Sequence, residues 1–144
     1  MITTKGSCWL LLRLAVLLVV LLVQSSEGAS YRDFANRHID YPKTAANNHN
    51  AYCNLMMARR GLNRPVCKPT NTFINGSPRS VQAICGSGGT RFRGNLYTSR
   101  RRFRVIVCRS TGRFPNCNYR GRAQSKRVRV GCRNRLPVHL DRLV

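Results

Sequence analysis

Six cysteines, Cys53, Cys67, Cys85, Cys108, Cys117 and Cys132, follow an apolar leader in this chain of 144 residues, and they limit its possible folds more than any other feature. The leader tells how to read them. Lys5 precedes a run from Trp9 to Val23 that is apolar apart from Arg13, and Gln24-Ser25-Ser26-Glu27-Gly28 then offers the small and polar residues that suit signal-peptidase cleavage. Residues 1–28 are therefore expected to be a secretory signal peptide, and 29–144 the mature domain. The unbroken apolar stretch from Leu14 to Val23 is far shorter than the ~20 residues of a membrane-spanning helix. Cys8 leaves with the leader, so an even set remains in an oxidising compartment, and three disulfides are expected rather than a metal site. Neither a CxxC pair nor a His/Cys cluster argues for zinc, and no cofactor is expected. Six cysteines allow many pairings, among which spacing alone does not choose.

The formal net charge is +22 at pH 7, and removing Lys5, Arg13 and Glu27 with the leader leaves +21. Self-repulsion at that level opposes compaction, so the charge points to polyanionic partners: RNA, heparan sulfate, lipopolysaccharide or anionic membrane surfaces. Arginine dominates the basic residues, and its planar fork suits bidentate phosphate contacts. Arg100-Arg101-Arg102-Phe103-Arg104 groups four arginines around one aromatic and is a candidate membrane contact.

The patterning divides at Tyr97. Before it, the spacing predicts a short helix over Asp33 to Ile39, with Phe34 and His38 on one face. A second helix is expected from about Ala46 to Arg59, with Tyr52, Leu55 and Met56 on its apolar side and Gly61 as its stop. A third starts near Ser77-Pro78, a capping serine followed by a first-turn proline. After Tyr97 the period is two: Phe103, Val105 and Val107 alternate with Arg102, Arg104 and Ile106, and Val128, Val130 and Cys132 with Arg127, Arg129 and Gly131. This predicts antiparallel strands with an arginine-rich outer face and turns at Thr111-Gly112 and Arg120-Gly121. The expected fold class is α+β: three short helices and a twisted antiparallel β-sheet, cross-linked by three disulfides.

Three segments carry chemistry: Phe34-Ala35-Asn36-Arg37-His38, Cys67-Lys68-Pro69-Thr70-Asn71-Thr72-Phe73, and Pro137-Val138-His139-Leu140-Asp141. Cleaving a ribose phosphodiester at neutral pH without a metal needs a base, an acid and positive charge on the phosphorane. Two histidines and a lysine supply all three, because imidazole titrates near neutrality. The other histidine, His49, matches no motif and is expected at the surface.

In order and content these segments resemble the pancreatic-type ribonuclease superfamily, most closely its angiogenin-like, three-disulfide branch. The resemblance implies His38 as base and His139 as acid, exchanging roles when a cyclic phosphate is hydrolysed, with Lys68 stabilising the transition state. It further implies that Asp141 orients His139, that Arg37, Asn71, Thr72 and Leu140 contact substrate, with Thr72 reading the pyrimidine edge, and that Asp40 is structural, bonded to Tyr52. The implied disulfides are Cys53–Cys108, Cys67–Cys117 and Cys85–Cys132.

Three departures from the digestive members stand out. Arg37 replaces a glutamine at the scissile phosphate, Arg133 replaces a glutamate near the second base, and the loop from Gly86 to Asn95 has no cysteine to staple it. That loop corresponds in position to the cell-binding loop of angiogenins. Only Arg142-Leu143-Val144 follow Asp141, so the glutamine that obstructs the pyrimidine pocket of mammalian angiogenins has no counterpart. Met57-Ala58-Arg59-Arg60-Gly61-Leu62 is similar to the angiogenin segment for nucleolar entry. The implied protein is a secreted, extracellular, monomeric endoribonuclease that cleaves single-stranded RNA after pyrimidines through a 2′,3′-cyclic phosphate, with an angiogenin-like or host-defence role. Ribonuclease inhibitor and a cell-surface receptor are further implied partners. The alternative is a cationic antimicrobial or growth-factor-like protein that acts mainly by binding anionic surfaces or receptors.

Overall fold

The computed structural model describes residues 11–17 and 30–144. Residues 11–17 are helical, and the expected leader boundary at Gly28 lies outside the described residues. Among the described residues no helix is long and apolar enough to cross a membrane. The site is carried by residues 33–144.

The first helix, α1, covers residues 30–38, so Ile39 is not its last turn; Ile39 bridges to Ile74 instead. Helix α2 runs His49–Arg59, starting later than expected because the Asn48 side chain caps it by accepting from the Ala51 amide. Its buried residues are Tyr52, Cys53, Met56 and Met57, whereas Leu55 is only half-buried. Gly61 ends the turn in the left-handed region, at φ 71°. Helix α3, Pro78–Gln82, is capped by Ser77 with proline in the first turn, and a single 3₁₀ turn, Ala83–Cys85, continues it.

Among the described residues, seven strands form two antiparallel sheets. Strands β1 (Thr70–Ile74), β4 (Phe103–Ser110) and β5 (Tyr119–Lys126) make one, in the order β1-β4-β5. The other is β2 (Gly89–Arg93), β3 (Leu96–Ser99), β6 (Val128–Arg133) and β7 (Leu136–Leu143), in chain order. Alternation in β1 and β4 sorts side chains into two cores. Phe73 opposes Ile106 and joins Tyr52, Met56 and Met57 of α2 in one; Ile74 opposes Val105 and joins Phe34, Phe103, Val128 and Val130 in the other.

Two expectations change here. Ile106, placed by period two on the arginine face, is 1% exposed because α2 covers that side of β4. Arg120-Gly121 is no turn but lies inside β5, opposite Arg109 and Cys108. A Cβ at Gly121 would sit 2.2 Å from the His49 carbonyl oxygen and 2.9 Å from Cys53 Sγ, so the glycine serves close approach of helix to strand. Thr111-Gly112 does turn, opening the loop that leads to β5. The disulfides are Cys53–Cys108, Cys67–Cys117 and Cys85–Cys132. The first ties α2 to β4, and the third ties the 3₁₀ turn to β6.

Candidate active site

Phe34 and His38 stand one turn apart on α1, ring centroids 5.1 Å from each other, and Phe34 is buried in the core. His38 is thus held on a fixed wall. Its Nδ1 lies 2.8 Å from the Thr72 carbonyl oxygen on β1. A carbonyl only accepts, so Nδ1 carries the proton and Nε2 is the basic atom. Burial pulls the His38 pKa from 6.5 down to about 4; the Thr72 bond opposes this, and the positive charges of Lys68, Arg37 and His139 add to it. The imidazole is therefore neutral at physiological pH.

Lys68 lies just before β1, and its Nζ donates to Asn71 Oδ1 at 2.8 Å. Asn71 is buried and turns its amide nitrogen to the Arg37 carbonyl oxygen, also at 2.8 Å. The asparagine thus ties α1, β1 and the lysine together. Burial and then the Arg37 charge hold the Lys68 pKa below its ordinary value. Arg37 itself is half-exposed and lies 3.9 Å from Asp33.

The facing wall is β7. His139 opposes Gly131 and is exposed, with no protein hydrogen bond among the described residues. A cavity of about 310 Å³ separates the two walls, lined by Arg37, His38, Lys68, Thr70, Asn71 and Thr72 on one side and residues 138–143 on the other. Both histidines and the lysine face this one space.

The chain is similar to known proteins. A sequence profile described as pancreatic ribonuclease matches residues 29–141. The chain is 47% identical to "Ribonuclease pancreatic" of Iguana iguana over 77% of this chain and 95% of that protein. It is 42% identical to the angiogenin of Gallus gallus over 88% of this chain and 91% of that one. The crystal structure of green turtle egg white ribonuclease superposes with a TM-score of 0.78 at 46% identity, covering 80% of this chain and 98% of the turtle protein. The chain belongs to the pancreatic ribonuclease family.

As a pancreatic-type endoribonuclease, it departs from its sequence-based description at one site residue. Asn71, expected to touch substrate, lines the cavity, and its side-chain amide also holds Lys68 and the Arg37 carbonyl oxygen. The resemblance implies that Asp141 orients His139, and strict strand alternation would place the two on one face. Strand β7 is irregular there: Val130 opposes Leu140 and Arg129 opposes Arg142, leaving Asp141 as the extra residue of a bulge. Its carboxylate pairs with Arg142 at 3.4 Å and makes no hydrogen bond to His139. Thr72 and Leu140, expected to contact substrate, line the cavity. Thr70, Val138, Arg142 and Leu143 also line it and were not singled out.

Three further assignments sharpen. Asp40 accepts from the Tyr52 hydroxyl at 2.6 Å and from Thr44, and lies 3.7 Å from Arg60, so it is structural in this ribonuclease. Arg60 donates to the carbonyl oxygens of Ala35, Asn36 and Ile39, capping the end of α1. It is not a free basic side chain of a targeting segment. Phe103, the aromatic of the Arg100 to Arg104 cluster, is 1% exposed beneath the Arg101 guanidinium, so it is not available to insert into a membrane.

Proposed function

We propose that this ribonuclease cleaves single-stranded RNA on the 3′ side of pyrimidines by transphosphorylation. Neutral His38 takes the 2′-hydroxyl proton at Nε2. The 2′-oxygen attacks phosphorus, the bond to the 5′-oxygen breaks, and protonated His139 gives that oxygen its proton. A 2′,3′-cyclic phosphate and a free 5′-hydroxyl result. Lys68, held at fixed distance by Asn71, opposes the charge that grows on the phosphorane. Water then opens the cyclic phosphate with the two histidines in exchanged roles. Arg37 adds phosphate attraction, which tightens binding more than it speeds turnover.

The observation that carries this reading is the single cavity that His38, Lys68 and His139 share. Pyrimidine preference rests on Thr72, whose hydroxyl has no protein partner among the described residues and lines that cavity. A hydroxyl both donates and accepts, so it serves uracil and cytosine alike. Secretion after removal of residues 1–28 follows from the apolar leader and the three disulfides of the domain behind it. The test is cleavage of a uridine-adenosine dinucleotide by the disulfide-bonded protein, with wild type and His139→Ala compared in EDTA. Rapid formation of cyclic uridine phosphate by wild type alone supports the assignment, and equal rates overturn it.

A further inference from the structure

The sheet β2-β3-β6-β7 has one face in the core, through Val128 and Val130, and the other in solvent. On the outer face, register aligns Thr90 with Thr98, Thr98 with Arg129, and Arg129 with Arg142. Directly paired residues point the same way, so these four side chains form a row across the sheet. One end of the row is in the catalytic cavity, because Arg142 lines it. The other end is edge strand β2, three strand spacings or about 14 Å away. There Phe92 is 50% exposed.

A single exposed phenylalanine is ordinary. This one is held in a particular way. The Arg129 guanidinium lies 3.6 Å from its ring centroid and is fixed by its Nε donating to Thr98 Oγ1 at 3.0 Å. Arg93 approaches the same ring at 5.5 Å. Neither arginine has a carboxylate partner among the described residues, where the ion pairs involve Arg37, Arg60 and Arg142. Arg129 covers one face of the ring, so what remains for a ligand is the exposed part of Phe92 and two unneutralised forks. Sulfated sugars offer charge without a flat face, whereas a single-stranded nucleic acid offers a phosphate and a base together.

We propose that Phe92, Arg129 and Arg93 form a stacking subsite for a nucleotide of single-stranded RNA lying beyond the two that flank the scissile bond. The inference rests on the ribonuclease reading above. Long RNA leaves the cavity past Arg142, crosses the sheet over Arg129 and stacks a base on Phe92. A dinucleotide is too short to reach that surface.

Steady-state cleavage of a uridine-adenosine dinucleotide and of a ten-nucleotide RNA with one central uridine tests this in wild type, Phe92→Ala and Phe92→Tyr. Phe92→Ala should raise KM for the longer RNA about tenfold, in line with the worth of one base stacked on an aromatic, and leave its kcat and both dinucleotide constants unchanged. Phe92→Tyr keeps the ring and should behave as wild type. Arg129→Ser, at a matched melting temperature, should give a similar rise in KM and a shallower salt dependence. An unchanged KM for the longer RNA in Phe92→Ala overturns the subsite, as does an equal loss on both substrates. Loss of binding to phosphatidylglycerol vesicles with RNA constants intact would make the patch a lipid contact and also overturn it. Failure of wild type to cut the dinucleotide would instead sink the catalytic reading beneath it.

Discussion

The two histidines of this ribonuclease sit in opposite surroundings. His38 is buried, backed by Phe34, tied to the Thr72 carbonyl and kept neutral; His139 is exposed on an irregular strand with no protein hydrogen-bond partner among the described residues. The contrast fits their proposed tasks. A base has to be deprotonated and aimed before substrate arrives, and burial beside positive charge achieves both. An acid that meets the leaving group and later activates water gains from freedom to reorient. The fold supplies this difference through location: a helix packed into a core on one side, a bulged strand on the other.

The comparison can be broken at several points. The largest effect is expected from His38→Ala and His139→Ala, each lowering kcat/KM on the dinucleotide by ~10²–10⁴-fold in steady-state assays. Next comes Phe34→Ala, which removes the wall behind His38 and should cost ~3–5 kcal/mol of stability in denaturant melts. It should also raise the His38 pKa toward 6.5.

The pH dependence of stability follows. The unfolded chain takes up the His38 proton near pH 6.5, the native one only near 4. Between these values the unfolded state binds more protons, so stability present above pH 6.5 is lost as pH falls toward 4. The loss attributable to this group is on the order of 3 kcal/mol and should disappear in a His38→Asn background. The smallest effect is expected at Asp141. Because its carboxylate pairs with Arg142, Asp141→Ala should lower dinucleotide kcat/KM by less than about tenfold, well below the loss from a histidine itself.

Much of this was legible in the residues. The helix at Ser77-Pro78, the Phe34–His38 pair and the three disulfides were all expected and are present, since caps, i to i+4 spacing and an oxidised even set act locally or by family pattern. What failed was tertiary. Period two assigned Ile106 to the solvent face, but nothing in β4 records that α2 packs there. Gly121 has the composition of a turn and the job of admitting a helix backbone. Asp141 fell to the bulge in β7, because alternation holds only while the register does. Arg60 looked like part of a basic signal until the open carbonyls of α1 were seen to need it.

The most direct test of the account is a proton NMR titration of the histidine ring signals in the intact, disulfide-bonded protein, assigned with His49→Gln and His139→Ala. The account predicts that His38 titrates well below the ordinary histidine value, toward 4, and moves up when Phe34 is replaced by alanine. A His38 midpoint at or above 6.5 in the wild type would contradict it.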